Sequence, residues 1–321
     1  MNARGLGRPL RFRLFLLAAS GLLPLAIVAG VVLAFLTGER TRDAEQAALA
    51  VSRAMASAVD TELRSTIGVL QSLALSDDLH PGRLGDFHAM AARLSTRLGW
   101  RAVVLTDAEG GVLLSSARRY GESPIQAVEQ DSLQRAIVSR QAVVGPVAEG
   151  PQRQGPAFAV RVPVERDGRL VYVLSAVLPG ERMREVLLRQ RLSSSSVAAV
   201  YDQNYHRVAR VPRHLADTPS PSLLALLSRG NAEGVGTTVT LEGVRSHTGY
   251  VRLPSSGWVV ATATSLQETD RSFYGVLAAV ALGLLASLAL AAIPRAATVP
   301  HVNPSAAKPV ATKQPDRSRP M

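Results

Sequence analysis

Two long uncharged stretches constrain this 321-residue chain more than anything else in it. Leu14 to Leu36 (LFLLAASGLLPLAIVAGVVLAFL) runs 23 residues without a charge, and Phe273 to Ile293 (FYGVLAAVALGLLASLALAAI) runs 21. As helices rising about 1.5 Å per residue, both exceed the roughly 30 Å hydrocarbon core of a bilayer. The first, preceded by Arg4, Arg8, Arg11 and Arg13, also has the outline of an uncleaved signal peptide. It is longer than an ordinary h-region, however, and no small-x-small cleavage site follows Leu36. Both stretches are read as transmembrane helices, at 14–36 and 273–293, so the fold between them begins and ends at a membrane surface.

The charge distribution orients these helices. The chain carries a formal +11, nearly all of it arginine (34 Arg, 2 Lys), which raises nucleic acid as a partner. Residues 1–13 hold +4 and residues 294–321 another +4, whereas 37–272, with 236 residues, hold only +3. The positive-inside bias then places a basic N-terminus and the tail in the cytoplasm and exports 37–272. The exported part is close to neutral for its size, which removes nucleic acid as a partner. The absence of cysteine excludes disulfides, thiolate metal sites, Fe–S clusters and a Cys nucleophile.

Within the exported part, residues 41–75 read as one long helix. Apolar residues recur at Ala48, Val51, Met55, Val59, Leu63, Ile67, Leu70 and Ala74, spaced by three or four. Such a helix packs along its own domain or along its copy in a dimer, and the spacing does not choose. After a break at His80-Pro81-Gly82, a shorter helix carries Leu84, Phe87, Ala91, Leu94 and Leu98 on one face. From Arg101 the period becomes strand-like: AVVLT, a turn at 107–111, VLLSS, a helix at 132–139, AVVGPVA, AFAVRVPV, an Asp167-Gly168 turn and LVYVLSAV. A helix at 181–191 leads into a similar order: VAAVY, RVARV, a short helix at 221–228, VGTTVTL, VRSHTGYVR and WVVATAT. Asp107 and Asp202 follow comparable strands 95 positions apart, and Gly168 and Gly257 precede comparable strands 89 apart. Two copies of one α+β unit with antiparallel sheets are expected, at about 76–180 (membrane-distal) and 193–265 (membrane-proximal).

This order of elements, with the segments VVLTDAEGGVLLSSARRYGE, FAVRVPVERDGRLVYVLSAVL, VAAVYDQNYHRVARVP and SGWVVATAT, resembles the double Cache family. These are PAS-like periplasmic sensor domains of bacterial receptors such as sensor histidine kinases, chemoreceptors and diguanylate cyclases. The resemblance implies two tandem PAS-like units, a small-molecule ligand in the distal unit, an inner-membrane location and a homodimer. It also implies an output. The 28-residue tail, however, is rich in Pro, Ala and Ser, is expected to be disordered, and contains no kinase box or cyclase signature. The expectation is the input part of a truncated sensor histidine kinase, or a receptor acting through a separate cytoplasmic partner. Family members that sense amino acids carry an Arg-x-Trp-Tyr and a later Asp. The distal unit has Trp100 alone, and LVYVLSAVL holds no acid, so an α-amino-acid ligand is not expected.

The residues expected around a ligand are Trp100, Arg118, Arg119, Tyr120, Phe158, Arg161, Tyr172 and Ser175, which together suit an anionic or aromatic small molecule. Strand alternation puts Phe158 with Val160 and Val162 and leaves Arg161 on the other face; the plain alternative sets Arg161 in solvent and Tyr172 in the core. No catalytic constellation is present. The six histidines lack metal-ligand spacing, Ser305-x-x-Lys308 lies in the tail without partner motifs, and no cofactor is called for. A hydrolase would have to rely on His206 or His214. The remaining alternative is a membrane-anchored protein-interaction or assembly protein. Ser265-Leu266-Gln267-Glu268 reads as a capping box joining the last strand to the second membrane helix, a junction (Ser265, Glu268) suited to transmitting a signal. Small residues recur every four along both membrane helices: Ala26, Gly30 and Ala34, then Gly275, Ala279, Gly283, Ser287 and Ala291. Such rows permit close helix packing.

Overall fold

The computed structural model describes residues 10–122, 127–150, 155–190 and 192–266, with positions 275, 278, 282 and 283; in the first helix, side chains are described at Gly30 and from Thr41 onward. Val28–Ala278 forms one compact unit. Among the described residues no helix is long and apolar enough to cross a membrane. Of the small-residue rows, Gly30, Gly275 and Gly283 are described and exposed, whereas Ala26, Ala34, Ala279, Ser287 and Ala291 lie outside the described side chains, as does Glu268.

Helix α1 spans Leu10–Ala74, so the first apolar stretch and the long helix expected at 41–75 are a single element. Its buried stripe is Ala48, Met55, Val59, Leu63, Leu70 and Ala74. Val51 departs from expectation: it is 41% exposed, and Ser52 is the buried residue at that turn. The reason is a partner across the chain, since Ser52 Oγ hydrogen-bonds Thr262 Oγ1 at 2.7 Å. Two short 3₁₀ turns, Asp77–Leu79 and Pro81–Arg83, replace the break expected at His80-Pro81-Gly82. Helix α2 (Leu84–Leu98) follows and ends at Gly99 in the left-handed conformation, φ 67°.

The first sheet comprises β1 (Ala102–Asp107), β2 (Val112–Ser115), β3 (Val143–Glu149), β4 (Pro156–Arg166) and β5 (Arg169–Pro179) in the order β2-β1-β5-β4-β3. Helix α3 (Gln130–Ser139) lies between β2 and β3 in sequence, and α4 (Gly180–Arg189) leads out of β5. The second sheet comprises β6 (Ser196–Tyr201), β7 (Arg207–Val211), β8 (Glu233–Val239), β9 (Arg245–Arg252) and β10 (Val259–Ser265), ordered β7-β6-β10-β9-β8, with α5 (Pro221–Leu227) in the position of α3. All pairings are antiparallel and the two orders are identical, as a duplicated unit requires. The paired aspartates do the same work in each copy. Asp107 Oδ1 accepts from the amides of Glu109 and Gly111, and Asp202 Oδ1 accepts from those of Asn204 and His206. Each closes its hairpin through a local side-chain turn.

Alternation along the strands gives each sheet two covered faces. One face of the first sheet (Val103, Leu105, Phe158, Val160, Val162, Leu174, Ala176 and Leu178) joins Met55, Val59, Leu63 and Leu70 of α1 in the main core. Val200, Trp258 and Val260 of the second sheet belong to the same core, and the rings of Phe158 and Trp258 meet edge-on at 4.8 Å and 79°. α1 also presses on the second sheet at Gly249, where a Cβ would stand 2.6 Å from the Leu49 backbone nitrogen. Thr262 of β10 donates to the Ala48 carbonyl at 3.0 Å. The last strand is thus tied to the helix that continues the N-terminal apolar stretch. Ser265 closes β10, buried and paired with Ser246, and Leu266 is already helical.

Candidate functional site

The opposite face of the first sheet, away from α1, is only partly filled. α3 covers one end of it through Leu133 and Ala136, which pack on Val173. Beyond α3 a cavity of about 300 Å³ opens between the sheet and the segment after β2. Its wall is mostly small and apolar (Ala102, Val104, Ala157, Ala159, Val177 and Pro146), and its polar groups are Arg101, Arg118, Glu129, Arg161, Ser115 and Ser175. A few fixed polar groups in an apolar hollow are the usual make-up of a small-molecule site.

Arg161 is the centre of the polar group. It lies on the face opposite Val160 and Val162, as alternation predicts, but that face is covered, and the residue is only 4% exposed. Its Nε–H donates to Ser132 Oγ at 2.8 Å, Nη1 to Ser175 Oγ at 3.1 Å and Nη2 to the Glu129 carbonyl at 2.6 Å. The Glu129 carboxylate stands 3.7 Å from Nη2. Burial pulls the guanidinium below its ordinary value, and Glu129 opposes that shift. Of five N–H donors, three are used within the protein. Glu129 is fully engaged as the N-cap of α3: Oε1 accepts from the Ser132 amide at 2.9 Å, and Oε2 accepts from the Ser132 hydroxyl.

The rest of the wall adds positive charge. Burial lowers the Arg101 pKa as well, and its Nη1 donates to the Gly155 carbonyl at 2.6 Å. Arg118 pairs with Glu122 at 2.8 Å, and its backbone is held by His88, whose Nε2 lies 2.8 Å from the Arg118 carbonyl and 3.2 Å from that of Ser115. Three arginines and one committed carboxylate thus border the cavity, Arg118 with its own partner, Glu122, outside the lining.

Of the eight residues expected around a ligand, Arg118, Phe158, Arg161 and Ser175 border this cavity. Phe158 does so from its strand, with its ring directed at Trp258. The other four lie elsewhere. Trp100 and Tyr172 are buried in the main core, because Tyr172 shares the α1-facing side of β5 with Leu174 and Ala176. Arg119 is exposed, and Tyr120, 54% exposed, tilts against His88 at 5.6 Å on the outside. Sequence reasoning missed Arg101, Glu129 and Ser132. No periodicity marks them, since each sits at the margin of an element and gains its role from a strand far away in sequence.

The second sheet has the same frame without the cavity. Arg161 pairs with Ser175, which pairs with Val104; in the second sheet Tyr250 pairs with Ala261, which pairs with Ala199. Tyr250 therefore occupies the place of Arg161. Its fully buried ring fills the space beside Gly234, where a Cβ would stand 2.8 Å from the ring, and the remaining hollow is about 30 Å³. Among the described residues, no three His, Asp or Glu side chains converge as metal ligands would.

By sequence, neither a family model nor a curated protein matches this chain. By structure, it matches the extracellular domain of rpHK1S-Z16, described as a histidine kinase, at 14% identity over 71% of this chain and 95% of that one, with a TM-score of 0.54. It also matches the ligand-binding domain of the Campylobacter jejuni chemoreceptor Tlp3 in complex with 4-methylisoleucine (12% identity, 71% and 93% covered, TM-score 0.53). A third match is the ligand-binding domain of the Pseudomonas fluorescens chemoreceptor CtaA in complex with L-serine (12% identity, 70% and 99% covered, TM-score 0.53). The fold is that of double Cache sensor domains.

Proposed function

We propose that this chain is the sensory input module of a membrane receptor, and that its first sheet binds a small organic anion with a short apolar body. The observation that carries this reading is the buried Arg161 beside a 300 Å³ apolar cavity, with donors to spare. The similar chemoreceptor domains were crystallised with 4-methylisoleucine and L-serine, both carboxylates. An α-amino acid also needs an anion for its ammonium group. The acid of this cavity, Glu129, is already spent on the α3 cap and Arg161, so a carboxylate without the amine fits better. The assembly-protein alternative calls for no such cavity.

The two apolar stretches serve in this reading as transmembrane helices, with 37–272 periplasmic, both termini cytoplasmic and a homodimer as the signalling unit. A ligand shifts a two-state equilibrium only as far as it prefers one state. Closure of the first sheet around an anion would act on α1, which that sheet shares with the second, and on β10, which Thr262 ties to α1. In sequence, six residues separate Leu266, directly after that strand, from the second apolar stretch at Phe273. The output is that of a sensor histidine kinase, with chemoreceptor and diguanylate-cyclase outputs as the alternatives.

Calorimetric titration of the full chain in nanodiscs with acetate through valerate tests the ligand reading. Saturable binding is expected for at least one acid, with loss in Arg161→Gln and none in Arg119→Gln. Binding that survives Arg161→Gln would overturn it.

A further inference from the structure

A second cluster of arginines lies where the two sheets meet. α4 starts directly after β5, and β7 of the second sheet runs so close that a Cβ on Gly180 would stand 2.5 Å from the Val208 carbonyl oxygen. Beside this contact is a cleft of about 420 Å³, lined by Arg101, Arg184, Arg207, Arg210 and Arg213 and by one acid, Glu181. Arg207 and Arg210 have acids beyond the wall, Asp217 at 2.7 Å and Glu242 at 2.8 Å. Glu181 is shared: Arg184 Nη1 reaches it at 2.7 Å and Arg213 Nη2 at 2.8 Å. Two guanidiniums thus divide one negative charge. The Nε–H of Arg184 is buried and finds no acceptor among the described residues, an arrangement that costs free energy and calls for a partner.

Like charges gathered in a cleft repel one another and raise the local concentration of anions. Glu181 supplies one negative charge to the pair Arg184 and Arg213, so that pair keeps a net positive charge beside the open volume of the cleft. We propose that this inter-sheet cleft binds a small polyanion carrying two or more carboxylate or phosphate groups, with Arg184 of α4 and Arg213 beyond β7 as principal donors. The site is separate from the Arg161 cavity, though Arg101 lines both. Its donors come from the helix leaving the first sheet and the segment leaving a strand of the second, so an occupant bridges the two units and stiffens their joint.

The test is calorimetric titration of the full chain in nanodiscs with citrate and, separately, with pyrophosphate, with acetate added to the Arg161→Gln chain, whose first-sheet site is disabled, as the singly charged control. At least one polyanion is expected to bind, with an affinity that falls as ionic strength rises. Arg213→Gln, at a side chain 69% exposed and therefore safe for folding, should weaken binding about tenfold, and Arg184→Gln should do likewise. Which of citrate and pyrophosphate binds tighter assigns carboxylate or phosphate chemistry. Arg161→Gln should leave polyanion binding intact, so failure here and failure of the first-sheet reading are separable. The proposal is overturned if neither polyanion binds, or if Arg213→Gln binds both as the unaltered chain does.

Discussion

Arg161 and Tyr250 hold one register position in two copies of the same sheet, and the difference between them separates an open cavity from a filled one. A guanidinium brings its own hydrogen-bonding demands, which Ser132, Ser175 and the Glu129 carbonyl meet only in part. A tyrosine ring fills volume instead. Arg161→Met should lower stability by about 1–3 kcal/mol, because it takes the donor from buried Ser175 and from the Glu129 carbonyl and leaves the partly exposed Glu129 carboxylate beside no cation; urea unfolding of the full chain in detergent reads this as a lower midpoint. Tyr250 makes the opposite prediction. Its buried hydroxyl has no partner among the described residues, so Tyr250→Phe removes an unsatisfied group and should leave the thermal midpoint unchanged or raise it. A clear fall in that midpoint would show that the hydroxyl is needed. Neither role could be read from one residue: alternation gave the face of Arg161 correctly, but only the fold shows that α3 covers that face.

At the level of elements, apolar periodicity and turn chemistry made nearly every helix and strand legible, because those signals act within a few residues. The duplicated Asp107 and Asp202 turns are the clearest case, for each satisfies amides two and four positions ahead of itself. The α1 stripe failed at Val51, where Ser52 is buried by a hydrogen bond to a residue 210 positions away. That contact and Gly249 fix how closely α1 approaches the second sheet. Gly249→Val would drive a side chain into the backbone of α1 and should cost about 2–3 kcal/mol, measured by chemical denaturation. Thr262→Val keeps the shape but removes the long-range partner of the buried Ser52 hydroxyl and the second hydrogen bond to the Ala48 carbonyl, at a cost of about 1–2 kcal/mol.

For the whole molecule, α1 makes one core of two sheets. Trp100 precedes the first sheet and Trp258 enters the second, yet both belong to that core. Unfolding of Trp100→Phe and Trp258→Phe variants, each followed by the fluorescence of the remaining tryptophan, should give transitions that coincide with circular dichroism. Separated transitions would mean that the units melt independently. Acid should weaken the whole fold. For Glu233 the Arg53 hydrogen bond is the main cause of a lowered pKa; for Asp60, Glu181 and Glu242 burial pushes upward, and hydrogen bonds from their partners outweigh it. A carboxyl held lower in the folded than in the unfolded chain stabilises fully above its unfolded value. That stability, complete above about pH 4.5, is lost as pH falls through the lowered values, and thermal melts across that range report it.

What the sequence determined by itself is the set of local and repeated features: two apolar stretches, positive charge concentrated at both ends of the chain, strand and helix periods, and an echo of one unit in the other. These depend on spacing along the chain, and spacing is what a sequence displays. The tertiary structure alone decided which face of the first sheet stays hollow, which arginine stands in it, and that the equivalent hollow in the second sheet is closed by Tyr250. It also gathered Arg184 and Arg213 around one glutamate where the sheets join. Volume and charge at a point in space are sums over residues far apart in the chain, and no period in the sequence records them.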